Sequence, residues 1–361
     1  MRQSATALAI ALGIATASSD ANATVVFSTF VNGSDIAAAE GGNQSTIAFN
    51  YTGTGFIGSV YFGPDNNQLY STNLSGGGVA QFGQPIPGFG SEVVIGVGLG
   101  QAGFAKGAIY AGNGQGNQIY LVPAVGAPVL FGSTGNTENI RQILFDPGSS
   151  FGGAMLVSTS SGRIYSFNSA GTPTLIASVG EDTEGLDIAS SAYGQYAGDL
   201  LVTSEGSGTV RAITPGGVVT VLQLSLGVNV HVPSAETIST VPLNLGASGN
   251  PIEGFYVADY PVDDQFAPAS QFAGLQGDAI VTSEQSSNSQ IWDLHYNGDL
   301  LNTFTLTQVG NLPSQSEDGI FVTAERIGEI GNSVPEPTSI ALFGTALAGL
   351  GFLGRRKRKT A

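Results

Sequence analysis

Between residues 24 and 333 the chain alternates apolar and polar positions in short runs separated by Gly, Ser and Asn. That two-residue period marks half-buried β-strands, and no 3.6-residue stripe of helical length is sustained there. Gly153–Phe167, Gly198–Ile213 and Gly277–Leu294 share one pattern: a short apolar strand, a polar turn, and a second alternating strand. Looser copies begin at Gly58 and Gly107.

A second marker precedes these hairpins. An acid leads a β-branched or aliphatic strand at Glu92, Glu138, Glu184, Glu236 and Glu317. Successive intervals are 46, 46, 52 and 81 residues, and one 46-residue step back from Glu92 reaches Thr46, which opens a sixth such strand without the acid. A period near 46 with about four strands per unit predicts an all-β fold with a single β-propeller, because solenoids of that period are helical. Six inner strands predict six blades. The long last interval predicts an insertion around Leu243 to Phe272; the other reading places Gly254–Tyr260 in a seventh blade. Since the last repeat ends soon after Glu317, the outer strands of its blade are expected from Thr24 to Ala39, closing the ring by pairing the chain ends.

The two ends read as addresses. Arg2 followed by the apolar run Ala5–Ala17 and the small-x-small site Ala21-Asn22-Ala23 predicts a secretory signal over residues 1–23, cleaved after Ala23. Residues 338–354 carry no charge, and Arg355, Arg356, Lys357, Arg358 and Lys359 follow. That order predicts a membrane-spanning helix with its basic tail held in the cytoplasm. With Pro335-Glu336-Pro337 immediately ahead, residues 334–361 resemble the PEP-CTERM sorting signal of Gram-negative bacteria, which an exosortase recognises. The resemblance implies export through the secretion machinery, a transient stay in the inner membrane, cleavage near Pro335–Pro337, and delivery to the cell surface or extracellular matrix. It also implies an association with exopolysaccharide and biofilm.

Charge narrows the partners. The chain has 361 residues with net charge −16 and no Cys, so neither disulfides nor thiolate chemistry contribute. Without residues 1–23 and 338–361, only Lys106, Arg141, Arg163, Arg211 and Arg326 oppose 26 acids, a net charge of −21. Nucleic acid is therefore excluded as a phosphate-bound partner, and cations or neutral glycans fit better.

Glu92, Glu138, Glu184, Glu236 and Glu317 occupy one repeat position, so in a propeller they are expected near one mouth of the central channel. Such a ring would suit a hard cation such as Ca²⁺. On the other reading these acids cap backbone N–H groups on solvated turns. The repeat also resembles the six-bladed NHL, gluconolactonase-like and strictosidine-synthase-like propellers, in which Glu-Gly-Leu or similar opens the inner strand; here only Glu184-Gly185-Leu186 keeps that form. Fold resemblance alone carries no activity.

Two catalytic motifs match by chance. Gly98–Gly103 satisfies G-x-G-x-x-G but leads into a strand, where dinucleotide binding needs a helix. Gly148–Gly152 satisfies G-x-S-x-G, but it follows the turn Asp146-Pro147, and His231 and His295 are the chain's only histidines. The reading reached is a non-enzymatic surface propeller that binds a matrix polysaccharide or surface protein. The alternative is a Ca²⁺-dependent hydrolase of lactonase type.

Overall fold

A computed structural model describes residues 24–61, 68–88, 92–114 and 116–324. Six four-stranded antiparallel sheets surround a central channel. Their innermost strands are Thr46–Tyr51, Ile95–Val97, Ile140–Phe145, Leu186–Ile188, Ala235–Thr240 and Gln315–Val322, each adjoining the next around a closed ring. Blades 1 to 4 are each built from consecutive strands. Blade 5 takes Ala235–Thr240 and then skips to Ala279–Ser283, Gln290–Tyr296 and Phe304–Asn311.

Blade 6 is assembled from three distant parts of the chain. Gln315–Val322 is its inner strand, Gly254–Tyr260 and Asp263–Pro268 are its middle strands, and Ser28–Val31 is its outer edge. The segment between Glu236 and the Gly277 repeat is therefore an insertion in blade 5 that builds the middle of blade 6. This settles six blades over seven and corrects one expectation. The N-terminal stretch supplies only one strand of the closing blade, and Gly33–Ala39 is a short helix.

The closure is packed and hydrogen-bonded. Phe30 of the edge strand inserts between blades 6 and 1, with ring centroids 4.8 Å from Tyr256 and 5.0 Å from Phe56. Asp264, fully buried, accepts from Thr46 Oγ1 and Tyr70 Oη, both at 2.7 Å. A carboxylate this deep survives only when its oxygens are satisfied. Burial, partly offset by these two donors, pushes its pKa up to about 7.

The aromatic residues pack between blades as their alternation predicts, for example Phe104 against Tyr110, Phe131 and Phe145 between blades 2 and 3. The Gly98–Gly103 stretch is a turn leading to the strand Ile109–Gly112. At Gly148–Gly152, Asp146 gathers the N–H groups of Gly148, Phe151 and Gly153 into a tight turn.

The acidic mouth of the channel

All six inner strands begin at the same mouth, so a residue just ahead of a strand, such as Glu92 or Glu184, or within its first three positions, such as Glu236 or Glu317, is carried to the channel opening. Glu92, Glu184, Glu236 and Glu317 line one cavity there, together with Arg141, Gln142, Thr237 and Asp318. Glu138 does not join them, which corrects the five-member ring. Its carboxylate is turned into its own blade by Thr159 (3.2 Å), Ser161, Arg163 (3.1 Å) and Tyr165 (2.9 Å). Burial opposes its charge, but these donors prevail and hold its pKa below the usual value.

Arg141 takes the central place. The inner strand of blade 3 shifts register between Ile140 and Gln142, and the side chains of Arg141 and Gln142 both reach the channel. The guanidinium pairs with Glu92 of blade 2, with Asp182 at 2.6 Å, and with Glu184 at 3.2 Å. Burial works against its charge, but Glu184, Asp182 and Glu92 outweigh it. Gln142 reaches the other way: its Nε2 donates to Asp318 at 3.0 Å, and its Oε1 accepts from Leu186 N at 2.6 Å. Blades 3 and 6 stand opposite each other, so the Gln142–Asp318 bond crosses the channel and separates the acidic cavity from a second one lined by Asn50, Leu144 and Phe321.

Two further acids reach the mouth from the turns after second strands. Glu205 follows Leu200–Ser204 and Glu284 follows Ala279–Ser283. Burial, then the hydrogen bond and charge of Glu205, push Glu284 up to about 7. Gln315 Nε2 donates to Glu284 and, at 2.8 Å, to Glu317. Burial raises Glu236 and Glu317 well above the ordinary carboxylate range, and like charge adds to it: Glu184, Glu317 and Glu284 act on Glu236, while Glu284 and Glu92 act on Glu317. Burial also raises Glu184, against the opposing pull of Arg141.

Gly185 explains how closely blades 4 and 5 approach. A Cβ there would lie 2.5 Å from Ile238 N and 2.6 Å from Glu236 O, so only glycine lets Glu184 sit beside Glu236. Eight carboxylates, those of Glu92, Asp182, Glu184, Glu205, Glu236, Glu284, Glu317 and Asp318, thus share the mouth with one guanidinium. Among the described residues, no three His, Cys, Asp or Glu side chains are grouped to hold a metal ion. The two histidines lie elsewhere: His295 contacts Asp278 at 2.9 Å and His231 contacts Ser207 O at 3.0 Å.

Sequence reasoning missed Arg141, Glu205 and Glu284, and read Asp182 only as one of the dense acidic group Glu181, Asp182, Glu184 and Asp187, whose spacing fits no EF-hand loop. The shared Val-Thr-Ser-Glu ending at Glu205 and Glu284 was the available signal for two of them. Nothing in the local pattern announced that a register shift would turn Arg141 inward. The signal-peptide site at Ala21 and Ala23, the Pro335-Glu336-Pro337 motif, the span 338–354 and the basic tail lie outside the described residues. Among the described residues no helix is long and apolar enough to cross a membrane.

Residues 333–359 match the family model of the PEP-CTERM protein-sorting motif. No curated protein matches the chain by sequence. Among solved structures, a structural-genomics protein of unknown function from Bacteroides thetaiotaomicron is similar, with TM-score 0.51, 12% identity, and coverage of 82% of this chain and 70% of that one. The PQQ-bound aldose sugar dehydrogenase of Streptomyces coelicolor has TM-score 0.48 and 13% identity, covering 87% of this chain and 96% of the enzyme. The first likeness, at 12% identity, speaks to fold alone. The chain is a six-bladed β-propeller carrying a PEP-CTERM sorting motif, the mark of an exported protein processed by an exosortase.

Proposed function

We propose that this propeller is delivered outside the cell to bind cationic groups of the extracellular matrix at its acidic mouth, without catalysis. The route we infer has signal cleavage after Ala23, a transient inner-membrane stay through residues 338–354 with Arg355–Lys359 inside, and release near Pro335–Pro337 at the cell surface.

One observation carries the binding role: eight carboxylates and a single arginine share one opening. A concave site walled by one sign of charge concentrates counter-ions. The lining consists of carboxylates, Arg141, Gln142, Thr237 and two aliphatic side chains, with no Ser, Cys, His or Lys among them. The test is retention on matrix polysaccharide extracted from the producing cells. The wild-type protein should elute only at raised salt, and a Glu236→Gln/Glu317→Gln variant at clearly lower salt. Equal elution of the two proteins would overturn the reading.

The second reading, a Ca²⁺-dependent hydrolase, rests on Glu92, Glu184, Glu236 and Glu317 reaching one cavity. It requires both thermal stabilisation by Ca²⁺ and turnover of a lactone or ester.

A further inference from the structure

The mouth is divided in its charge balance. Arg141 pairs with Glu92, Asp182 and Glu184 on one side and offsets part of their charge. On the side of blades 4 to 6, Glu236 and Glu317 form no ion pair among the described residues, while the charge of Arg141 still reaches Glu284. Thr237, which lines the same cavity, is only 2% exposed, and its hydroxyl has no hydrogen-bond partner. A buried hydroxyl without a partner costs about 1–3 kcal/mol. Here it belongs to the wall of the cavity that Glu236 and Glu317 also line.

The geometry of these acceptors selects among cations. A bare Ca²⁺ needs six to eight oxygens close around it, and no three acids are grouped for that. An ammonium has three donors and is satisfied by three separate acceptors. Glu236, Glu317 and the Thr237 hydroxyl supply such a set.

An aromatic pair stands at the rim. Tyr260 ends the second strand of blade 6, opposite Gln315, whose amide binds both Glu284 and Glu317. After burial, the charges of Glu317, Glu284 and Glu92 contribute to raising the Tyr260 phenol, which places it within their field. Its ring meets Tyr61 of blade 1 edge-on, centroids 5.9 Å apart, and both rings are partly exposed. Flat aromatic faces beside convergent polar groups are suited to a ring with an apolar C–H face.

Resting on the proposed cation-binding role, we infer that the ligand is a protonated amino sugar, its ammonium held by Glu236, Glu317 and Thr237 and its ring against Tyr61 and Tyr260. In a matrix, this is a polysaccharide carrying free rather than N-acetylated hexosamines.

The test is calorimetric titration of the full chain in detergent with a β-1,4-linked glucosamine tetramer, its fully N-acetylated counterpart, tetralysine and Ca²⁺. The glucosamine tetramer should bind at least about ten-fold more tightly than the acetylated one, since a lost charge-assisted contact is worth about a factor of ten. Glu317→Gln should weaken it similarly, and Tyr260→Ala should weaken the glucosamine tetramer while leaving tetralysine unchanged. Thermal melts confirm that each variant is folded, and Glu236→Gln serves if Glu317→Gln is not. Equal binding of the free and acetylated sugars overturns the inference. So does tetralysine or Ca²⁺ binding while the glucosamine tetramer does not, although the cation-binding role then survives. If none of the four binds, both fall together.

Discussion

Arg141 sets the charge balance of the channel, because its guanidinium is the one base among the residues that line the acidic cavity. Removing one partner of a largely buried ion pair leaves an uncompensated charge and costs about 3–5 kcal/mol. Arg141→Gln should therefore lower the denaturation midpoint sharply, as read by urea unfolding. Glu236→Gln should act oppositely. Burial and neighbouring acids already disfavour its charge, so the neutral amide should stabilise the fold by about 1 kcal/mol at pH 8 and by less at pH 5, where more of the wild-type acid is protonated. A gain independent of pH would rule out charge repulsion as the cause. Four of the site's acids were legible because they occupy a repeated position whose backbone geometry the fold reproduces. Glu138 shares that position yet departs, because Ser161, Arg163 and Tyr165 offer its carboxylate donors inside blade 3. Such side-chain competition is a property of each blade and leaves no trace in the spacing.

At the scale of elements, hairpins and inner strands were readable because each forms from adjacent sequence. Blade 6 was not, since its four strands come from Ser28–Val31, Gly254–Pro268 and Gln315–Val322, and no local pattern tells a strand which distant edge it completes. The insertion could be recognised by its length alone. What holds the blade in place is specific: Thr46 and Tyr70 of blade 1 both donate to Asp264. Tyr70→Phe removes one donor and should destabilise the protein by about 2 kcal/mol, measured by chemical denaturation. An unchanged midpoint would show that the clasp contributes nothing to ring closure. The edge strand adds a second restraint, since Asp263 accepts from Gly33 N at 2.7 Å and from Thr29 Oγ1 at 3.0 Å.

The whole molecule carries many buried acids. Burial pushes Asp259, Asp264, Asp293 and Glu284 up to about 7, well above the values these groups have in an unfolded chain. A carboxyl raised on folding contributes stability that is fully present below its unfolded pKa and is lost as pH rises through the folded one. The melting temperature should therefore rise as pH falls from 8 to about 5. Glu138, held low, works against this trend only in stronger acid. A scanning-fluorimetry series with its maximum above pH 7 would contradict this balance. Replacement of Pro335-Glu336-Pro337 by alanines should leave the propeller folded but retained in the inner-membrane fraction.

The direction of the final strand has a spatial corollary. Gln315 lies at the acidic rim and Val322 at the far end of the wheel, so the polypeptide departs from the opposite side. Ten residues separate Ala324 from Pro335, a reach of at most about 40 Å. A precursor tethered through residues 338–354 would be held by that underside and not by the acidic mouth. It would be open to capture its cargo before the tether is cut.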